Sequence, residues 1–241
     1  MKNVMVITDN VYLLKQFRAL IKRLDLNAWF EFRSSPGKAD NSLMQVHELS
    51  YINLKEEWQE VVQSYDLVIS IHCKQIFPAE MVRAVKCINV HPGLNPYNRG
   101  WYPQVFSIIN SLPWGATIHE IDEKLDHGDI IIQEEMELHA WDTSLSAYNR
   151  VLDKEIQLLE KVLPQIVDGD YTTMKIPDEG NVNLKKDFKK LSLLDLNEKV
   201  TMKEAIDRLR ALSHSGYNNA FFRDDYGNKV YVLLKLKKST D

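Results

Sequence analysis

Two cysteines in 241 residues exclude a disulfide framework. They stand at positions 73 and 87 rather than as a Cys-x-x-Cys pair. Each adjoins an apolar run, as the buried thiols of a cytoplasmic protein do. No apolar run approaches the ~20 residues of a membrane-spanning helix. The opening "MKNVMVITDN" is too short, and turns polar too soon, for a secretory leader. Internal repeats and low-complexity segments are missing, as are a His-Glu-x-x-His motif and any Cys-rich metal pattern. An excess of positive charge is missing too. The net charge is −4 and the isoelectric point about 6.0, which argues against a dedicated nucleic-acid binder. What is present, 44% hydrophobic and 27% charged residues, is ordinary for a globular protein with a sizeable core.

"KNVMVIT" (Lys2 to Thr8), "DLVISIH" (Asp66 to His72) and "CINVH" (Cys87 to His91) are short, nearly continuous apolar runs. Strands buried on both faces read this way. "AWFEFRSS" from Ala28 is a further strand. "YLLKQFRALIKRL" (Tyr12 to Leu24) spaces Leu13, Phe17, Leu20, Ile21 and Leu24 for a helix, with Asp9 or Asn10 as its cap. A short helix follows Pro78. Strand and helix alternate, which predicts an α/β fold with a mainly parallel, doubly wound, Rossmann-like sheet. "YPQVFSIIN" reads as a helix, "GATIHEID" and "GDIIIQEEMEL" as strands, and Thr143 to Val167 as a long helix. After "DGDY" the character changes. "PDEGNVNLKKDFKK" reads as a polar linker or arm, Thr201 to His214 as a helix with a capping box, and "NAFFRDDYGNKVYVLLKLK" as a hairpin. These features divide the chain into residues 1–175 and a small helix-and-hairpin region, 176–241.

Ligands of such sheets bind beyond the carboxyl ends of the strands. Asn89 and His91 lie there, two residues apart and therefore on one face. A second stretch, "GATIHEIDEKLDHGDIIIQ", carries a strand, an acidic turn at Leu125-Asp126-His127-Gly128, and another strand. A metal site from His91, His119, Asp126 and His127 has no supporting ligand pattern, so no metal is expected.

The two stretches together resemble the folate-dependent formyltransferases, a family that includes glycinamide ribonucleotide transformylase, methionyl-tRNA formyltransferase and the sugar N-formyltransferases. Asn89, His91 and Pro92 match its Asn-x-His-Pro strand end. Gly115, Thr117, His119, Leu125, Asp126 and Gly128 match its Gly-x-Thr/Ser-x-His strand and Leu-Asp-x-Gly turn. The resemblance covers about residues 1–170. It implies N10-formyltetrahydrofolate as co-substrate and Asn89, His91 and Asp126 as a catalytic triad. In that scheme Asn89 stabilises a tetrahedral oxyanion, His91 moves the amine's proton, and Asp126 orients or charges His91. His119 is read as positioning rather than chemical. The pterin is placed between the "KQIFP" loop and the Ile121–Asp126 loop, at Ile76, Phe77, Ile121 and Asp122.

Three features point to an acceptor. "TDNVY" after the first strand has no glycine for a phosphate nest, unlike the purine enzyme. The tail is short and mixed in charge, unlike the tRNA enzyme. "NRGWYPQ" resembles the small sugar N-formyltransferases. The implied acceptor is a nucleotide-linked amino sugar, dTDP-4-amino-4,6-dideoxyglucose first, a dTDP-3-amino or GDP-4-amino sugar next. Asn10, Lys74, Arg99, Trp101, Tyr102, Gln104 and Tyr217 are the candidates to hold it. No nucleic acid or membrane partner is expected. The apolar hairpin needs a covering surface, which predicts a homodimer through the region after residue 175. Transfer of the formyl group to water and a non-catalytic folate-binding scaffold are the other readings of these residues.

Overall fold

A strand buried on both faces needs a layer on each side, and β1 (Lys2–Thr8) has both. Val4 and Val6 pack towards one side and Met5 and Ile7 towards the other, the period of two that a pleated strand imposes. The computed structural model describes residues 1–37, 49–176 and 179–239. Within them a central sheet is built from β1, β2 (Ala28–Ser34), β3 (Ser50–Tyr51), β4 (Leu67–Ile71), β5 (Lys86–His91), β7 (Trp114–Glu120) and β8 (Ile130–Met136). Their spatial order is β3-β2-β1-β4-β5-β7-β8. Neighbours from β3 to β5 are parallel. β7 runs antiparallel to both β5 and β8. The sheet is thus mainly parallel, as its apolar runs predict.

Helices α1 (Val11–Leu24) and α5 (Ser144–Asp168) cover one face. Helices α2 (Leu54–Ser64) and α3 (Ala79–Ala84) cover the other. Chain order reverses between β1 and β4, so their carboxyl ends open the crevice where such sheets bind ligands. Asn10 caps α1 by accepting from Leu13 N at 3.0 Å. Asp9 does something else: its carboxylate accepts from Ser35 N at 2.8 Å and Lys74 N at 2.9 Å, tying the ends of β1, β2 and β4 together.

The segment expected to be a polar linker is structured where it is described. Pro177 and Asp178 of that stretch, like Thr240 and Asp241, lie outside the described residues. Residues 179–183 form a strap: β9 (Val182–Asn183) pairs in parallel with β6 (Arg99–Gly100). Lys185–Ser192 is helix α6. Its Phe188 and Leu191 pack with α4 (Pro103–Asn110) and α7 (Met202–Leu212), where Val105, Ile108 and Ala211 are buried. The hairpin forms from β10 (Ala220–Arg223) and β11 (Lys229–Val232).

Candidate active site

The register of β5 against β7 sets the site. Asn89 pairs with His119 and His91 with Thr117, so all four side chains share one face at the carboxyl end of β5. The loop after β7 returns over them with Asp126, whose backbone lies in the left-handed region at φ 46. Aspartate tolerates that region better than most residues, but it must be held there. Asn95 Nδ2 donates to Asp126 O at 2.9 Å, and Gly100 N donates to Asp126 Oδ2 at 3.0 Å. Gly128 explains the final glycine of the motif. A Cβ there would stand 2.7 Å from the carbonyl carbon of Glu120.

Asn89 Nδ2 donates to Asp126 Oδ1 at 3.0 Å and meets His119 Nε2 at 3.2 Å. His119 Nδ1 lies 2.6 Å from the carbonyl of Glu120, which can only accept, so Nδ1 carries the hydrogen and Nε2 is the acceptor. Both amide hydrogens of Asn89 are therefore engaged, one by a carboxylate and one by a neutral imidazole. Burial pushes His119 down to about 4 despite the opposing pull of Asp126. His91 is 4% exposed, with Nδ1 3.7 Å from Asp126 Oδ2 and, among the described residues, no hydrogen-bond partner on Nε2. Burial holds its pKa below the ordinary imidazole value. Asp126 opposes that shift, whereas His72 and Arg99 add to it. A neutral imidazole near neutral pH can accept a proton. His127 is not part of this cluster; it bonds Asp122 Oδ2 at 2.6 Å. Among the described residues no group of three His, Cys, Asp or Glu side chains is arranged to hold a metal ion, and no helix is long and apolar enough to cross a membrane.

The other expected residues fall on two sides of this cluster. On the α2 and α3 side, Phe77 and Ile121 are half-buried against the core while Ile76 is 88% exposed beside them. On the α1 and α5 side, Asn10 Nδ2 donates to the Tyr148 hydroxyl at 3.0 Å. The ring of His214 lies 5.7 Å from Tyr148 and 5.5 Å from Tyr217. Gln104 is buried and donates to Ser144 Oγ at 3.3 Å, which in turn meets His214 Nδ1 at 3.2 Å. The rings of Tyr102 and Phe188 lie 4.3 Å apart at a tilt of 38°, and Lys185 Nζ sits 3.9 Å over the ring of Trp101. Lys74 is exposed on the loop after β4.

Arg99 is where the structure departs from the sequence reading. It is buried, and its guanidinium donates to Leu125 O at 3.3 Å and Glu179 O at 2.5 Å. Rather than facing a pyrophosphate, it braces the Asp126 turn against the strap. Glu179 also bonds Lys124 at 3.1 Å. Asn181 and Asn183 donate to Asn98 Oδ1 at 2.8 and 3.1 Å. Arg99→Ala leaves those main-chain acceptors without their donor, a cost of about 1–3 kcal/mol. The expected result is a lower melting temperature and a fall in turnover with nucleotide affinity retained. Weakened nucleotide affinity with full turnover would return Arg99 to the acceptor surface. Sequence reasoning also missed His72, Ser144, Tyr148, Glu155 and His214. Glu155 alone had a legible signal, since it sits on the buried stripe of α5 with Val151, Leu152, Leu158 and Leu159.

A Rossmann-like domain with Asn, His and Asp converging at the carboxyl end of a central strand defines a class that comparison with known proteins identifies. The family model described as formyl transferase matches residues 40–163, and that of the N-formyltransferase dimerization C-terminal domain matches residues 187–238. The chain belongs to the formyltransferase family and is an enzyme of that class. It is 52% identical over 185 residues to the dTDP-4-amino-4,6-dideoxyglucose formyltransferase of Mycobacterium bovis, covering 77% of this chain and 79% of that one. A sugar N-formyltransferase from a Shewanella species superposes with a TM-score of 0.96 at 42% identity, covering 100% of both chains. A 4-N formyltransferase from Francisella tularensis gives 0.93 at 44%, covering 99% of both.

A cleft of about 400 Å³ opens at the opposite end of the strands, by the amino ends of β1, β4 and β5, near Lys2, Asp66, Lys86, Glu120 and Tyr171. Glu120 there is already bonded by Lys86 and Tyr171, each at 2.7 Å. That cleft is a structural seam, away from the chemistry.

Proposed function

We propose that this enzyme transfers the formyl group of N10-formyltetrahydrofolate to the amine of a nucleotide-linked amino sugar, dTDP-4-amino-4,6-dideoxyglucose, in the cytoplasm, for surface polysaccharide synthesis. The observation that carries the reading is the convergence of Asn89, Asp126 and a buried, neutral His91. The 52% identity to an enzyme named for that sugar supports the choice of acceptor.

The chemistry follows from the contacts. The amine nitrogen attacks the formyl carbon and the carbonyl oxygen becomes an oxyanion. An anion competes for a hydrogen-bond donor better than a neutral imidazole does, so the Asn89 N–H that rests on His119 turns to the oxyanion. The other N–H stays on Asp126 and fixes the amide plane. His91 takes the amine's proton, and the Asp126 carboxylate stabilises the imidazolium. The tetrahedral adduct collapses by breaking the bond to the folate nitrogen, which receives that proton from His91. The folate enters from the side of Ile76, Phe77, Ile121 and Asp122. The nucleotide sugar enters from the side of Asn10, Lys74, Trp101, Tyr102, Gln104 and Tyr217.

Incubation with N10-formyltetrahydrofolate and a panel of dTDP- and GDP-linked 3- and 4-amino sugars tests the reading. Mass spectrometry is expected to find the formamide with the dTDP-4-amino sugar first. Formylation of only a GDP-linked or 3-amino sugar would replace the acceptor.

The region after residue 175 adds the strap and Tyr217 to the site and carries the surface proposed for assembly. Leu193, Leu196, Met202, Ile206, Tyr231 and Leu233 are exposed on the C-terminal region, and residues 187–238 match the model of an N-formyltransferase dimerization domain. A homodimer covers these side chains by two-fold symmetry. Light scattering at micromolar concentration is expected to give twice the chain mass, and a monomer would remove this element of the account.

A further inference from the structure

On the α1 and α5 side lies a polar chain that the proposed chemistry does not use. His72 follows β4 in the left-handed region, at φ 55. Its Nε2 lies 2.9 Å from Glu155 Oε1, and its Nδ1 lies 3.0 Å from the Tyr148 hydroxyl. Asn10 Nδ2 also donates to that hydroxyl, at 3.0 Å. Glu155 is 0% exposed in the middle of α5, and its Oε2 has no hydrogen-bond partner among the described residues.

A buried carboxylate with one oxygen unpartnered is costly as a lone anion. Glu155 and His72 avoid that cost by holding one further proton between them. The pair is then either a carboxylic acid beside a neutral imidazole or a carboxylate beside an imidazolium. In both forms His72 Nδ1 carries a hydrogen, directed at the Tyr148 oxygen. That oxygen then accepts two hydrogen bonds, from His72 and from Asn10. Its own hydrogen has neither as a target and points away from both. Without the proton, His72 Nδ1 becomes an acceptor and draws the Tyr148 hydrogen inward.

We propose that Tyr148 is a specificity residue of the acceptor site. Its hydroxyl donates to an oxygen of the nucleotide sugar, a phosphate or sugar hydroxyl oxygen, with its polarity set by the proton shared between Glu155 and His72. This rests on the nucleotide-sugar reading above. The groups facing the pair are His91 on β5, Asn10 after β1, Tyr148 on α5, and His214 and Tyr217 across the Tyr148 ring. Asp9 beside Asn10 is engaged by Ser35 and Lys74 main-chain N–H groups, and Asp126 and Arg99 act on His91. Burial raises the Glu155 carboxyl, against the pull of His72. A raised carboxyl keeps its proton to higher pH than an ordinary one and loses it as pH rises, so acceptor binding weakens as pH rises.

Calorimetric titration of dTDP and of dTDP-4-amino-4,6-dideoxyglucose into the full chain, from neutral to alkaline pH, tests this. Tyr148→Phe is expected to bind about tenfold more weakly at neutral pH, the loss of one hydrogen bond. A loss shared by both probes places the oxygen on the diphosphate; a loss with the amino sugar alone places it on the sugar. Glu155→Gln carries an amide that donates to His72 Nε2 as the acid does. It is expected to keep the wild-type affinity and to lose the weakening with rising pH. The proposal is overturned if Tyr148→Phe binds both probes as tightly as the wild type, if Glu155→Gln repeats the Tyr148→Phe loss while folded by circular dichroism, or if wild-type affinity does not change with pH. Wild-type protein that binds neither probe would overturn the nucleotide-sugar reading along with it.

Discussion

His91→Asn is expected to lower turnover by about 10²–10⁴-fold, the usual contribution of a positioned proton acceptor. Both substrates should still bind, because among the described residues His91 Nε2 has no hydrogen-bond partner whose loss would disturb the pockets around it. Asp126→Asn should lose a comparable factor for a different reason. The carboxylate accepts from Asn89 Nδ2 on one oxygen and from Gly100 N on the other. An asparagine offers one acceptor and one donor, so one of those two N–H groups would face another donor. The pH profile separates the roles. Burial lowers the pKa of His91, so its base form persists below the ordinary pKa of about 6.5 and the acid limb of turnover lies beneath that value. Asp126 raises His91, so its removal moves the limb further down in whatever activity is left. Near-native turnover in both folded variants would end the mechanism.

Gly128→Ala is the second large effect. The new Cβ would stand 2.7 Å from the Glu120 carbonyl carbon and 3.3 Å from Asp122 N, both backbone atoms that cannot rotate away. Overpacking against backbone costs about 1–3 kcal/mol or more. For a chain of this size each kcal/mol lowers the melting temperature by roughly 2–4 °C. The same shift moves Asp126, two residues earlier, off Asn89 and Gly100. We therefore expect a fall in melting temperature of roughly 2–12 °C together with near-complete loss of turnover. A variant with wild-type melting temperature and turnover would show that the Asp126 turn is not set by this approach.

The parts legible in the sequence share a physical reason. β1, β4 and β5 are buried on both faces, so each shows as an unbroken apolar run. Asn89 and His91 stand out because they interrupt the last of those runs at its end. Helix α6, by contrast, is lysine-rich with little apolar stripe, and it forms because Phe188 and Leu191 have α4 and α7 to pack on. The strap at 179–183 has no periodic pattern. Its bonds from Asn181 and Asn183 to Asn98 span more than eighty residues. Arg99 misleads for the same reason: a lone arginine in a polar loop reads as a ligand cation, and its partners, the main-chain carbonyls of residues 125 and 179 and the Glu179 carboxylate, are recorded by no motif. Tyr148 and His72 are single polar residues on otherwise ordinary elements, and only the fold brings them together.

The fate of the formyl carbon tests the central claim most directly. Enzyme, isotopically labelled N10-formyltetrahydrofolate and dTDP-4-amino-4,6-dideoxyglucose are mixed, and the label is followed by mass spectrometry through one turnover. The account predicts the label in the sugar formamide, with transfer slowed by about 10²–10⁴-fold in His91→Asn. Label released as formate at the same rate with and without the amino sugar would contradict it, because the site would then be delivering the formyl group to water.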